Sequence, residues 1–479
     1  METSLTSYGY KVSKTNLTTV QSKKIKKDMT ILPYVYDPVK GGQNKDKKFN
    51  ILLESPKAFY LPRFYGIEHY GIPMKSKLPA GQDINIKFKG DLREIQKPIR
   101  DAYLKAAKDK GGGIISLKCG GGKTVLALNI ISTLRKKCIV ICHKSFLVDQ
   151  WAERISQFLP DAKIGYIQGK TIDVEGKDIV IGMLQSISMK EYDEELFKQF
   201  GMVCFDECHH LSAEVFSKAM RKISPLYVLG LSATIKRADG TQYVFKWYIG
   251  DVVYESPDEI NDHRVETRLI QYESEDEKYC KKQTIFNGTT CRPKMVNQIC
   301  EYKERTELVL KYLYKYYDEG RTILILSERR DHLINMMNEI NKYYDKESAG
   351  LYIGGIHPEI LDHNATLRVI LGTYSFFSEG ADIPSLDTVI LASPVSNVEQ
   401  SIGRIFRKYG EHHKLICDII DVNIEGFEKQ SIKRVALYKK KGYELYENDN
   451  EEKIDYKKRN YKSKKEKVIP LYKQECLLD

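Results

Sequence analysis

Short apolar runs alternate with helical stretches along most of this 479-residue chain, and the series occurs twice. The first set of runs is GIISL (113–117), CIVIC (138–142), DIVIGM (178–183), MVCFD (202–206) and YVLGLSA (227–233). Helical periodicity fills the gaps, as in TVLALNIISTL from Thr124 and FLVDQWAERISQFL after Ser145. The second set is TILIL (322–326), LYIGG (351–355), LRVILGT (367–373), DTVILAS (387–393) and HKLICDIID (413–421), with LINMMNEINKYY (333–344) its clearest helix. Strands that alternate with helices form a parallel sheet covered by helices. The expected fold is therefore α/β, with two tandem parallel-sheet domains. The expected boundaries are an N-terminal accessory region over 1–88, a first sheet domain over 89–256, a linker or insertion over 257–310, a second sheet domain over 311–441, and a charged tail over 442–479.

Apolar residues make up 42% and charged residues 29%, which excludes a collagen, a coiled-coil rod and a wholly disordered chain. No run of ~18 apolar residues is present, so no membrane-spanning helix is expected. The polar start, Met1 to Tyr10, lacks an apolar signal core, and a soluble intracellular protein is expected. Ten scattered cysteines without paired spacings fit a reducing compartment rather than a disulfide framework or a zinc ribbon. The net charge of +11 is uneven: +9 over 1–90, −3 over 91–430 and +5 over 431–479. Basic ends suit a polyanion, because lysine and arginine displace counterions from phosphates. They equally suit plain solubility.

One stretch carries phosphate chemistry. Leu117-Lys118-Cys119-Gly120-Gly121-Gly122-Lys123-Thr124 follows an expected strand and opens an expected helix, the context of a P-loop. Gly120, Gly121 and Gly122 let backbone N–H groups wrap phosphates. Lys123 would reach the β- and γ-phosphates of ATP, and the Thr124 hydroxyl would sit on Mg²⁺. Leu117 stands where the strict pattern has glycine. About eighty residues on, Asp206-Glu207-Cys208-His209 closes another expected strand. A carboxylate there can hold the metal, and its neighbour can polarise an attacking water.

These residues resemble the superfamily 2 helicases. Lys123, the DECH at 206–209 and Ser232-Ala233-Thr234 look like that superfamily's motifs I, II and III. Gly372-Thr373 with Glu379-Gly380-Ala381-Asp382 resembles motif V, and Gln400-Ser401-Ile402-Gly403-Arg404-Ile405-Phe406-Arg407 resembles motif VI. The resemblance covers about 90–430 and implies two RecA-like domains, with an N-terminal accessory element and a basic C-terminal tail. CGGGKT, LVDQW (147–151), SATIKRADG (232–240) and QSIGR (400–404) are most similar to the DNA-directed XPB-like and phage UvsW-like group. FNILLESPKAFYLPRFYG, from Phe49, resembles the leader of transcript-release helicases of poxviruses and other large cytoplasmic DNA viruses. Cys208, Ile235 and Ser401 depart from the usual alanine, proline and arginine.

The resemblance implies a nucleic-acid-stimulated ATPase with ATP and Mg²⁺ as its cofactors. Gln96 would contact adenine, and Gln400 and Asp382 would lie on the nucleotide side. His209 would bridge the ATP site to motif VI. Arg407 is the first choice for an arginine finger and Arg404 the second. Ser232, Thr234, Glu379 and Gly380 would couple the ATP site to the strand. His143, Lys144, Gln185, Ser186 and Thr373 are the candidate strand contacts, directed mostly at phosphates. Arg237 and Asp239 form either a buried ion pair or a duplex contact. The expected function is an ATP-dependent DNA helicase or translocase of 3′→5′ polarity, serving viral transcription alongside the transcription machinery, or DNA repair and recombination. Its expected place is the host cytoplasm or the virion. An RNA-directed DExH enzyme and a non-enzymatic nucleic-acid-binding scaffold are the alternatives.

Overall fold

The computed structural model describes residues 3–454, apart from 35, 38–41, 44–46, 119, 209–212, 236, 238, 258–264, 287, 345–346, 381–382 and 406–411. At 36–37, 42–43, 194, 378–380, 400, 404–405 and 425 it describes the backbone alone. The chain divides into two compact units, one built mainly from residues up to 259 and the other mainly from those after it.

The first unit is centred on an eight-stranded sheet. Its order is Thr171–Asp173, Ile164–Gln168, Ile179–Met183, Cys138–Cys142, Met202–Phe205, Tyr227–Ser232, Gly112–Ser116 and Val252–Glu255. Every pairing is parallel except that of the first two strands. The central strands are apolar throughout because both faces are covered. Ile115, Val140, Cys204 and Leu229 point into one core with Leu126 and Trp151, from the helices Lys123–Leu134 and Ser145–Phe158. Ile114, Ile139, Val203 and Phe205 point the other way, against Phe216 and Phe245 from the helices Ala213–Lys222 and Gln242–Ile249.

That second core does not stop at the sheet domain. Leu5, Tyr10, Val12, Ile25, Phe59 and Tyr65 of the N-terminal region belong to the same buried cluster. They come from a five-stranded sheet and from the helices Thr19–Asp28 and Arg63–Tyr70. Tyr65 meets Trp247 edge-on at 4.9 Å, and Arg63 donates to the Leu226 carbonyl at 2.8 Å. The described residues of 3–88 therefore fold into the first unit rather than beside it.

The second unit holds a seven-stranded, all-parallel sheet. Its order is Ala349–Tyr352, Val369–Thr373, Ile323–Ser327, Thr388–Leu391, Lys414–Asp421, Val265–Tyr272 and Glu444–Glu447. Two of these strands lie outside the stretch expected to form the second domain. Val265–Tyr272, within the expected linker, pairs along its whole length with Lys414–Asp421. Its Glu, Arg and Gln interrupt the apolar run and hide the strand. Glu444–Glu447, within the expected tail, closes the sheet edge. The helix Lys303–Asp318 runs across the expected boundary at 310. Tyr312, Tyr316 and Tyr317 pack its inner face, as their spacing suggests. Among the described residues, no helix is long and apolar enough to cross a membrane.

Candidate active site

The parallel strands of the first unit all end at one edge of the sheet, where α/β folds bind ligands. There the Gly112–Ser116 strand runs into the glycine loop. Leu117 is still part of the sheet: its N–H donates to the Ser232 carbonyl at 2.9 Å and its side chain is buried. This is why the loop lacks the first glycine of the strict pattern. Leu117 fills the core, and the turn begins after it. Gly120 and Gly122 have φ of 80° and 77°, which favours glycine. A Cβ on Gly122 would also lie 2.4 Å from Gln96 Nε2.

Gln96, the expected adenine contact, has its side chain turned to the glycine loop. It is almost fully buried and donates from Nε2 to the carbonyls of Gly121 at 3.0 Å and Gly122 at 3.3 Å. Its Oε1 accepts from Arg93 N at 3.0 Å. Within this geometry Gln96 braces the glycine loop from behind. Gly122 caps the helix that Lys123 and Thr124 begin, so free N–H groups and a positive helix end face the loop.

Both acids follow the strand Met202–Phe205, which the Tyr227–Ser232 strand separates from the one that runs into the loop. Lys123 Nζ pairs with Glu207 Oε1. Glu207 Oε2 accepts from Ala233 N at 3.2 Å, which ties the DECH turn to the SAT turn. Glu207 holds this position with φ of +45°, a left-handed backbone uncommon for glutamate and the kind of strain found at functional sites. Asp206 is buried, and its Oδ2 accepts from Trp151 Nε1 at 2.9 Å. Burial, with the Glu207 charge beside it, pushes the Asp206 carboxyl up to about 6, against the pull of Lys123 and the Trp151 donor. A buried carboxylate short of positive charge, close to a second carboxylate, fits a hard divalent cation with oxygen ligands. Trp151 was not among the expected site residues, although LVDQW is one of the group-specific runs. A tryptophan there reads as core packing, and its single indole N–H betrays the polar contact only once the strand of Asp206 lies beside it.

Ser232 is buried at the end of its strand. Its Oγ donates to the Thr234 carbonyl and accepts from Thr234 N, closing a tight turn beside Glu207. Cys208 is buried too, and burial holds its thiol up at about 12. Farther along the same edge lie four candidate strand contacts. Gln185 Nε2 donates to the His143 carbonyl at 3.3 Å, and Ser186 Oγ accepts from Gly169 N at 3.0 Å. Lys144 follows His143, and partial burial lowers its ammonium pKa. The register Cys142↔Met183 puts these two pairs side by side.

Arg237 and Asp239 form the ion pair, one of the two options left open by the sequence. Arg237 donates from Nε to Oδ1 at 2.9 Å and from Nη2 to Oδ2 at 2.6 Å. Thr241 adds its N–H at 3.0 Å and its hydroxyl at 2.8 Å. Burial alone would raise the Asp239 carboxyl; the Arg237 and Thr241 donors more than offset it and bring it down to about 2.

Thr373 lies in the second unit, at the end of the Val369–Thr373 strand. Gln400 and Arg404 fall on the helix Glu399–Ile405, and Glu379 and Gly380 on Tyr374–Gly380; only their backbones are described. His209, Asp382 and Arg407 lie outside the described residues. Ser401 is buried, so a small residue rather than the usual arginine fits this helix face.

The chain is similar to known proteins over most of its length. The family described as "Type III restriction enzyme, res subunit" matches residues 89–237, which hold the glycine loop and both acids. A "Putative ATP-dependent RNA helicase" of Acanthamoeba polyphaga mimivirus is 33% identical over 456 residues, 93% of this chain and 86% of that protein. A "Putative helicase" of Invertebrate iridescent virus 6 is 27% identical, over 83% of this chain and 92% of its own. The crystal structure of T4 UvsW aligns over 94% of this chain and 99% of its own, at 16% identity and a TM-score of 0.38, too low to bear on the assignment. With a 33% identical relative matched nearly end to end, and a phosphate loop facing paired acids, this chain belongs to the superfamily 2 helicases of viruses and is an ATP-dependent, nucleic-acid-binding enzyme.

Proposed function

We propose that this helicase is DNA-directed, coupling ATP hydrolysis to 3′→5′ movement along DNA or its unwinding during viral transcription, with transcript release as the step served. The observation behind this reading is the bond from Trp151 to Asp206. LVDQW is a feature of the DNA-directed group that this sequence resembles, and here it is built into the acid pair of the ATP site. From the RADG run of the same group, Arg237 and Asp239 bond each other and Thr241. Transcription machinery would be the partner, and the host cytoplasm or virion the place of action. Repair or recombination would use the same motor.

In this reading Gly120, Gly121, Gly122 and the helix N-terminus after them bind the triphosphate through backbone N–H groups. Lys123 leaves its pairing with Glu207 to neutralise the β- and γ-phosphates. Glu207, released, takes up the proton side of water attack. Thr124 and Asp206 would hold Mg²⁺, which supplies charge neutralisation between the phosphates. Arg407, with Arg404 second, would stabilise the charge that develops on the γ-phosphate. Strand contacts to phosphates by His143, Lys144, Gln185, Ser186 and Thr373 would be sequence-independent.

A second reading has a specific observation in its favour: the mimivirus relative is named an RNA helicase. The test is ATP hydrolysis with no nucleic acid, single-stranded DNA, duplex DNA or RNA, with Glu207→Gln as control. Stimulation by DNA that disappears in Glu207→Gln is expected. Stimulation by RNA alone would replace the DNA reading with the RNA one.

A further inference from the structure

Four consecutive backbone carbonyls in the second unit, those of Ala392, Ser393, Pro394 and Val395, each accept a hydrogen bond from a side chain, and the four donors come from four different helices. Arg305, in the helix Lys303–Asp318, donates from Nη1 to the Ala392 carbonyl at 2.6 Å. Tyr374, the first residue of Tyr374–Gly380, donates to the Ser393 carbonyl at 2.8 Å. Arg292, the first residue of Arg292–Glu301, donates to the Pro394 carbonyl at 2.9 Å. Arg434, in Glu425–Lys440, donates to the Val395 carbonyl at 2.5 Å.

Each arginine is itself held by an acid. Arg305 grips Asp421 through Nε at 2.5 Å and Nη2 at 3.0 Å. Arg434 grips Asp418 through Nε and Nη2, both at 2.8 Å. Arg292 forks onto Glu328 with two bonds of 3.0 Å. Tyr279 and Tyr438 add hydroxyl donors to Asp421 at 2.8 Å and Asp418 at 2.9 Å. Bidentate pairs of this kind fix direction as well as distance. Ala392, Ser393 and Pro394 are buried, so their carbonyls need partners within the protein, and a charged framework supplies most of them.

The clamped segment leads directly into the helix Glu399–Ile405. Val398, Ser401 and Ile402 bury one face of that helix, and Glu399 pairs with Lys441 at 2.7 Å, just past the helix that carries Arg434. We propose that Arg292, Arg305, Tyr374 and Arg434 are positioning residues for ATP hydrolysis: by fixing residues 392–395 they set the place and angle of the helix that carries Arg404 and leads to Arg407. The proposal rests on the reading of that helix as the source of the γ-phosphate cations. Transition-state stabilisation needs those cations placed within a fraction of an ångström, whereas binding of ATP by the glycine loop does not.

Arg305 and Arg434 are poor test sites, because removing either leaves a buried carboxylate unpaired and endangers folding. Tyr374→Phe removes one hydroxyl, and Arg292→Lys keeps a charge at a partly exposed position. Each is compared with wild type and the Arg404→Ala, Arg407→Ala double variant for ATP turnover on single-stranded DNA, normalised to folded protein, and for amide hydrogen exchange over 396–405. In both clamp variants we expect exchange in 396–405 to rise roughly fivefold, the loss of about one hydrogen bond. We expect kcat to fall about tenfold with KM for ATP unchanged, as misplacement rather than lost binding requires. Unchanged exchange, or unchanged kcat while the Arg404→Ala, Arg407→Ala double variant abolishes turnover, overturns the clamp. Wild-type turnover in the Arg404→Ala, Arg407→Ala double variant overturns the reading beneath it, and with it the catalytic part of the proposal.

Discussion

The two units use charge in opposite ways. In the first, the Lys123–Glu207 pair stands at the edge of the sheet, its side chains 11% and 13% exposed, and joins groups that substrate would separate in the proposed mechanism. In the second, Arg305–Asp421 and Arg434–Asp418 are 2% exposed or less and join elements that stay together. In the proposed mechanism a pair of the first kind is a latch, because triphosphate oxygens would take the place of the carboxylate at Lys123. A pair of the second kind is a joint, because any exchange of partner would strand an ion in the core. One unit keeps its chemistry available, and the other spends its buried charges on shape.

The difference can be broken by substitution. Arg434→Met should cost the second unit about 3–5 kcal/mol in urea unfolding, because Asp418 is left buried and uncompensated. Adding Asp418→Leu to it should recover most of that loss. A single substitution costing less than about 1 kcal/mol, the worth of an exposed pair, would remove the distinction between latch and joint. Glu207→Gln should lower ATP turnover by about 10²–10³-fold while shifting the unfolding midpoint of the first unit little. A large loss of stability there would mean that Glu207 is structural after all.

His332 sharpens the contrast through pH. It is buried beside Arg305, with Ser327 Oγ at 3.1 Å from Nδ1 and Thr306 Oγ1 at 3.2 Å from Nε2. Burial, and then the Arg305 charge, hold its pKa down at about 3. The unfolded chain therefore binds a proton that the folded one refuses, and stability falls as pH drops below about 6.5. Between about pH 6.5 and 5 the second unit should lose about 2 kcal/mol through this group. His332→Gln should flatten that slope; an identical slope in the variant would assign the loss elsewhere. The smallest effect is expected at the Arg237–Asp239 turn. Because Asp239 is partly exposed, Arg237→Ala should change stability by no more than about 1 kcal/mol, while DNA-stimulated turnover reports any further role of the turn.

Much of this was legible in the sequence, and for identifiable reasons. Strands buried on both faces read as apolar runs, so CIVIC and MVCFD announced themselves, and the glycines before Lys123 could serve few other purposes. Val265–Tyr272 escaped because Glu266, Arg268 and Gln271 break its run, and their partners lie far along the chain: His413 faces Glu266 at 3.0 Å and Glu447 bonds Gln271. The bracing role of Gln96 was hidden because a glutamine reads alike whether it faces a ligand or a loop. The carbonyl clamp did leave a mark. Asp418 and Asp421 sit in HKLICDIID, where the strand is buried at all eight positions, and acids there require buried cations from elsewhere. Which arginines answer them depends on helix packing, which no local pattern encodes.

The shared core between the N-terminal sheet and the first unit bears on how this motor could be dismantled. Recognisable motifs begin near residue 90, and a designer trimming the chain would naturally treat that point as a seam. The apolar cluster crosses it. Cutting there would uncover Phe216, Phe245 and Val203 on one side, and Tyr10, Phe59 and Tyr65 on the other. The shortest piece that keeps its shape therefore starts well before the first residue that does chemistry, and recognisable motifs and foldability draw different borders through this chain.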